Sequence, residues 1–88
     1  MTNRLKKGYL QWKCRRGTKE LDVILNRFLD GWYDVLTDKE LIEFDNLLNS
    51  QDTKLWYWLS GQESSESELI QKLILKIIKS SNVNNQAQ

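Results

Sequence analysis

Histidine and proline are absent from this 88-residue chain, cysteine occurs once and glycine four times. Without imidazole the chain lacks the commonest general base, the commonest metal ligand and the usual side chain that carries a covalent flavin. Chemistry that needs imidazole must therefore come from a partner. Cys14 cannot form an internal disulfide, which suits a reducing, intracellular setting. Lys13, Arg15 and Arg16 beside it would lower a thiol pKa, yet no base accompanies it, so a packed cysteine is the stronger reading. Scattered glycines supply no phosphate-cradling loop, and the carboxylates show no metal-ligand clustering. We expect neither a catalytic residue nor a metal site. No apolar run approaches the roughly 20 residues of a membrane-spanning helix. No Arg-rich, acid-poor presequence precedes Trp12, so a bacterial cytoplasm is expected.

What the chain does contain is helical periodicity. Leu21, Ile24, Leu25, Phe28, Leu29 and Trp32 follow the stripe of a core-facing helix. An earlier helix, from about Arg4 to Cys14, is expected from Leu5, Tyr9 and Trp12 at spacings of four and three, with Gly8 weakening the pattern. Thr37 and Glu40 form a capping box, with Leu36 stapling Leu41, before a helix carrying Phe44, Leu47 and Leu48. Asp52 is placed to cap a short helix bearing Leu55, Trp58 and Leu59, and Gly61 to end it. Ser65 and Glu68 suggest a second capping box ahead of Ile70, Leu73, Ile74, Ile77 and Ile78. Nothing reads as a strand. The expected fold is all-α, a compact bundle of about five short helices, with residues 1–80 as a single domain and 81–88 as a polar, mobile tail. Acidic pairs such as Asp38 with Glu40 fall in first helical turns, where they favour the helix dipole. Trp32 and Trp58 read as core, whereas Trp56 lies off the Leu55/Trp58/Leu59 face and Trp12 adjoins the basic segment, so that either suits a contact.

Charge is unevenly distributed. Residues 1–16 carry six basic and no acidic side chains, and the remainder carries seven basic and twelve acidic ones, giving +6 and −5. The stretch CRRGTKELD, positions 14–22, concentrates this charge at a break between two helices. Gly17 could end the first helix in a left-handed conformation, and Glu20 could favour the first turn of the next, leaving Arg16 a solvated cation. Equally, the guanidinium groups of Arg15 and Arg16 could grip a partner's carbonyls or carboxylates.

With the segment FLDGWYDVLTDKELIEFDNLLNSQDTKLWYWLSG that follows, this stretch resembles the SdhE-type FAD assembly factors of succinate dehydrogenase, the succinate dehydrogenase assembly factor 2 family. The resemblance covers about Trp12 to Gly61. It rests on an RGxxE motif at Arg16, Gly17 and Glu20, on Tyr33 to Leu36, and on the steps at Phe44 to Leu48 and Trp58 to Leu59. It implies a five-helix chaperone, not an enzyme, that binds the flavoprotein subunit of succinate dehydrogenase, or of fumarate reductase, and promotes covalent attachment of FAD there. No cofactor would be bound by this chain itself. By the same resemblance Gly17 would permit close approach, Arg16 would donate hydrogen bonds to the partner, and Glu20 would accept one or hold Arg16. Arg15, Trp12, Asp22 and Tyr33 are carried over as further partner-binding positions. Thr18 departs from a frequent methionine and Thr53 from a frequent proline, which puts an apolar contact from position 18 in question.

A competing reading is a small helical nucleic-acid-binding protein using the basic N-terminal end, although no helix shows several base-reading side chains on one face. A toxin–antitoxin regulator has no feature in its favour. The free protein is expected to be a monomer, with both arginines exposed beside Glu20.

Overall fold

A computed structural model describes residues 4–86, with side chains to residue 80, as five helices and their connections. They are α1 (Lys7–Lys13), α2 (Lys19–Trp32), α3 (Asp38–Leu48), α4 (Asp52–Leu59) and α5 (Glu68–Gln86). No strand occurs among the described residues. The stripe anticipated for α2 buries Leu21, Leu25, Phe28 and Leu29. Phe28 forms the aromatic centre, 5.7 Å from the Trp32 ring and 5.6 Å from the Phe44 ring of α3. α5 lies against α2, α3 and α4 through Leu73, Ile74 and Ile77, while α1 closes the other side on α2 and α3. Trp32 and Trp58 pack partly buried against this core, as their positions implied.

The helix ends follow local chemistry. The Thr37 hydroxyl accepts from Glu40 N–H at 3.1 Å and the Glu40 carboxylate accepts from Thr37 N–H at 2.9 Å, completing the capping box. Gly61 adopts φ +84°, and Gln62 N–H donates to Tyr57 O at 2.9 Å while Gly61 N–H donates to Trp58 O at 3.2 Å. This is the Schellman closure that a glycine makes inexpensive.

Several expectations require correction. α1 turns Leu10 and the following Cys14 inward, four residues apart, and leaves Tyr9 and Trp12 exposed. The helix starts at Lys7, and Leu5 ahead of it packs partly buried against the core. Ser67, not Ser65, caps α5 by accepting from Ile70 N–H at 3.3 Å; Ser65 N–H donates instead to the Gln71 side chain at 2.8 Å. Asp52 is the first residue of α4 rather than its cap. Helical backbone also continues to Gln86, past the Ile78 end of the apolar stripe, because no glycine or proline interrupts it. Residues 87–88 of the expected tail lie outside the described residues.

Glu40 has a second role. It accepts from Lys76 of α5 at 2.7 Å, and this hydrogen bond, followed by that from Thr37 N–H, holds its carboxyl below the usual range. A depressed carboxyl stabilises the fold above its unfolded pKa of about 4.3 and loses that contribution as pH falls through the folded value. Glu40→Gln preserves the capping hydrogen bond but removes the ion pair, so it is expected to cost less than about 1 kcal/mol at neutral pH. Urea titrations stepped downward from about pH 5 should show a shallower loss of stability in this variant than in the parent.

Candidate functional site

The CRRGTKELD turn runs from the end of α1 into the first turn of α2. Its lead-in residue, Cys14, is fully buried, and burial pushes its thiol up to about 12 against the opposing charge of Arg16. It is therefore a packed thiol and not a thiolate nucleophile.

The two arginines part company. Arg15 is exposed, whereas the Arg16 side chain retains only 13% of its accessible surface. Arg16 Nε donates to Asp52 Oδ1 at 2.7 Å, Nη1 donates to Leu48 O at 2.7 Å and to Lys13 O at 3.2 Å, and Nη2 donates to Ser50 O. Leu48 closes α3, so the guanidinium satisfies carbonyls at a helix C-terminus, where a cation is also favoured by the dipole. The expected exposure beside Glu20 thus holds for Arg15 alone. Arg16 is committed within the chain because a five-donor fork reaches a helix end and a carboxylate together.

The backbone of the turn is held as firmly. Arg16 N–H donates to Asp22 Oδ1 at 2.9 Å, and Gly17 N–H donates to Asp52 Oδ2 at 3.0 Å. Arg16, then Gly17 N–H and Thr18 N–H, keep the Asp52 carboxyl below its ordinary value. Gly17 does not have the left-handed conformation anticipated for it; Gly61 alone has positive φ among the described residues. A Cβ added at Gly17 would meet Asp52 Oδ2 at 3.5 Å, an ordinary contact. The free fold therefore has room for a small side chain there.

Of the remaining expected site residues, Glu20 is exposed and Trp12 is 69% exposed. Asp22 is partly buried and serves the turn. Tyr33 follows the 14-residue α2, so it lies about 20 Å from the turn at the opposite end of that helix. Its hydroxyl donates to Leu5 O at 2.6 Å and its ring lies 4.7 Å beneath the Arg4 guanidinium. Tyr33 therefore straps down the N-terminal segment instead of joining the turn surface. Sequence reasoning missed Asp52 as the counterion of the turn, because 36 residues separate it from Arg16 and its helix-start position offered a sufficient local explanation.

Two shallow depressions flank the turn. One of about 450 Å³ is lined by Gly8, Gln11, Trp12, Arg15, Asp22 and Asn26, between α1 and α2. Another of about 260 Å³ is lined by Thr18, Glu20, Asp52, Thr53 and Trp56, between α2 and α4. Among the described residues no group of His, Cys, Asp and Glu is assembled for a metal ion. The basic N-terminal segment is largely spent internally: Arg4 pairs with Asp38, Lys7 with Asp30, Lys13 with Asp45 and Arg16 with Asp52. Those pairs leave little of the phosphate-binding surface required by the nucleic-acid reading. No described helix is long and apolar enough to cross a membrane.

A family model described as "flavinator of succinate dehydrogenase" matches residues 9–81. Among curated proteins, the chain is 48% identical over 71 residues to an FAD assembly factor, SdhE, of Legionella pneumophila, covering 81% of this chain and 89% of that protein. It is 41% identical over 80 residues to the protein of that name from Colwellia psychrerythraea, covering 89% and 88%. The corresponding protein of Coxiella burnetii is 43% identical over 68 residues, covering 77% and 83%.

The two arginines should separate in stability measurements. Arg16→Ala leaves Asp52 and the end of α3 without their donor and is expected to cost about 2 kcal/mol, with Arg16→Lys recovering only part because an ammonium cannot span the same acceptors. Arg15→Ala should remain within about 0.5 kcal/mol of the parent in the same urea titrations.

Proposed function

The chain belongs to the family of flavinators of succinate dehydrogenase, and on that premise we propose that it docks through the 14–20 turn onto the flavoprotein subunit and promotes covalent FAD attachment there. The observation that carries this reading is the division of labour within the turn. Arg16, Asp22 and Asp52 hold it rigid from inside, while Trp12, Arg15, Gly17 and Glu20 remain outward-facing. An aromatic and an arginine around a close-approach glycine have the composition of an interface anchor. A surface held in one conformation before binding loses less entropy on docking.

The chain brings no chemistry of its own to the bond. It has no histidine to carry a flavin, and its thiol is buried and protonated. Glu20 and Asp52 of one depression oppose the phosphates of a dinucleotide, and in the other the single cation Arg15 is accompanied by Asp22, which on this reading leaves FAD with the partner. The factor acts by binding the flavoprotein arrangement in which FAD and the acceptor histidine are aligned, shifting the population toward that state. Bond formation then belongs to the flavoprotein. The free factor is a monomer that works in the bacterial cytoplasm, and a fumarate reductase flavoprotein is a second candidate client of the same surface.

Mixing the protein with apo-flavoprotein subunit and FAD should raise covalent flavin fluorescence in a denaturing gel. Gly17→Arg should abolish the increase while retaining the parent's helical circular dichroism, since position 17 is exposed and tolerates added atoms in the free fold. No increase with the parent protein, or an undiminished one with the variant, would sink the reading.

A further inference from the structure

Glu20 is the one acidic side chain of the turn region whose only internal role is that of a first-turn acid on the α2 dipole. Asp22 accepts from Arg16 N–H, and Asp52 accepts from the Arg16 side chain and Gly17 N–H. No hydrogen bond or ion pair engages the Glu20 carboxylate among the described residues. Its helical neighbours at three and four residues on are Val23 and Ile24, so α2 brings it no cation at pairing distance. Arg16, four residues before it, is already committed.

The same depression contains an aromatic side chain that the core does not use. Trp56 is 40% exposed and stands one helical turn beyond Asp52 on α4, so the residue that anchors the turn also places the indole beside it. Glu20 on α2 and Trp56 on α4 thus border one opening of about 260 Å³. They are brought together by the Arg16–Asp52 contact between the two segments.

We propose that this opening is the subsite for an arginine side chain of the flavoprotein, with Glu20 accepting from the guanidinium and the Trp56 indole stacking on its plane. The proposal rests on the docking role given above to Glu20. If the partner covers that surface, an ionised carboxylate loses water and must regain donors; among the residues lining the opening only the Thr18 and Thr53 hydroxyls and the Trp56 indole N–H can offer one, and none carries a countercharge. An anionic occupant would meet both Glu20 and Asp52, and the N-terminal partial charges of α2 and α4 are already answered by their own first-turn acids. A guanidinium suits the site better than an ammonium because it is flat, forms forked hydrogen bonds to a carboxylate and stacks on indole. Trp56 is therefore a contact residue for the client, which the turn motif alone does not include.

Two measurements test this. In the free protein, N-acetyl-argininamide should shift the Trp56 indole N–H resonance, assigned with Trp56→Phe, and Glu20→Gln should reduce that shift at least about threefold. In binding to the apo-flavoprotein subunit, Trp56→Ala and Glu20→Gln should each weaken affinity by about tenfold, and the double variant by clearly less than the product of the two, as expected for groups sharing one ligand. Trp56→Phe, which keeps a ring of weaker cation attraction, should fall between the parent and Trp56→Ala. An argininamide shift that is absent or indifferent to Glu20 overturns the subsite, as does parent-like flavoprotein affinity in Trp56→Ala. If argininamide binds as described but the parent protein does not bind the flavoprotein, the docking role falls and the cation subsite stands.

Discussion

The Arg16 guanidinium is the contact on which the arrangement of the turn depends. It lies where the α1–α2 connection meets the α3–α4 connection, and it joins the two through Asp52, Leu48 O and Ser50 O. Helix ends carry unsatisfied carbonyls, and a carboxylate at the start of a helix has its own need for donors. One planar side chain meets both needs, and in doing so it places α4 beside α2. That placement puts Trp56 next to Glu20 and leaves Arg15 and Trp12 on the opposite flank of Gly17.

Similar bridges organise the rest of the N-terminal segment. Arg4 donates to Asp38 at 2.8 Å and to the carbonyls of Leu36 and Tyr33, and Lys13 reaches Asp45 at 2.6 Å. Exposed ion pairs contribute little individually. Here the cations also bond backbone carbonyls, and they hold a seven-residue α1 that buries only Leu10 and could not stay folded by itself. The charge asymmetry of the linear sequence is therefore an internal clasp in three dimensions. Only Lys6 and Arg15 of those six cations have no ion-pair partner among the described residues. A surface that looks strongly basic in sequence is thereby reduced to Lys6 at the start of α1 and Arg15 beside Gly17.

The parts of the fold legible in advance are those governed by neighbours three or four residues away. The α2 stripe, the Thr37–Glu40 capping box and the Gly61 closure all belong to this class. The α1 stripe was misread because its aromatics imitate a buried face: Tyr9 and Trp12 have helical spacing but belong to the outer side, while the less conspicuous Leu10 and Cys14 enter the core. At the start of α5 two serines competed for one role. Ser67 took it, and Ser65 was drawn into a contact with Gln71.

For the site, sequence alone determined which residue types stand together at the turn, that the chain lacks histidine, and that helices flank the break. Those facts follow from composition and short-range periodicity. Only the tertiary structure decided which of the two adjacent arginines turns inward, that Tyr33 belongs to the far end of α2, and that Asp52 and Trp56 complete the neighbourhood of Gly17 and Glu20. Each of these depends on contacts made 28 to 36 residues away along the chain. A local pattern has no means of choosing between Arg15 and Arg16, because the acceptors that distinguish them exist only once α3 and α4 have packed.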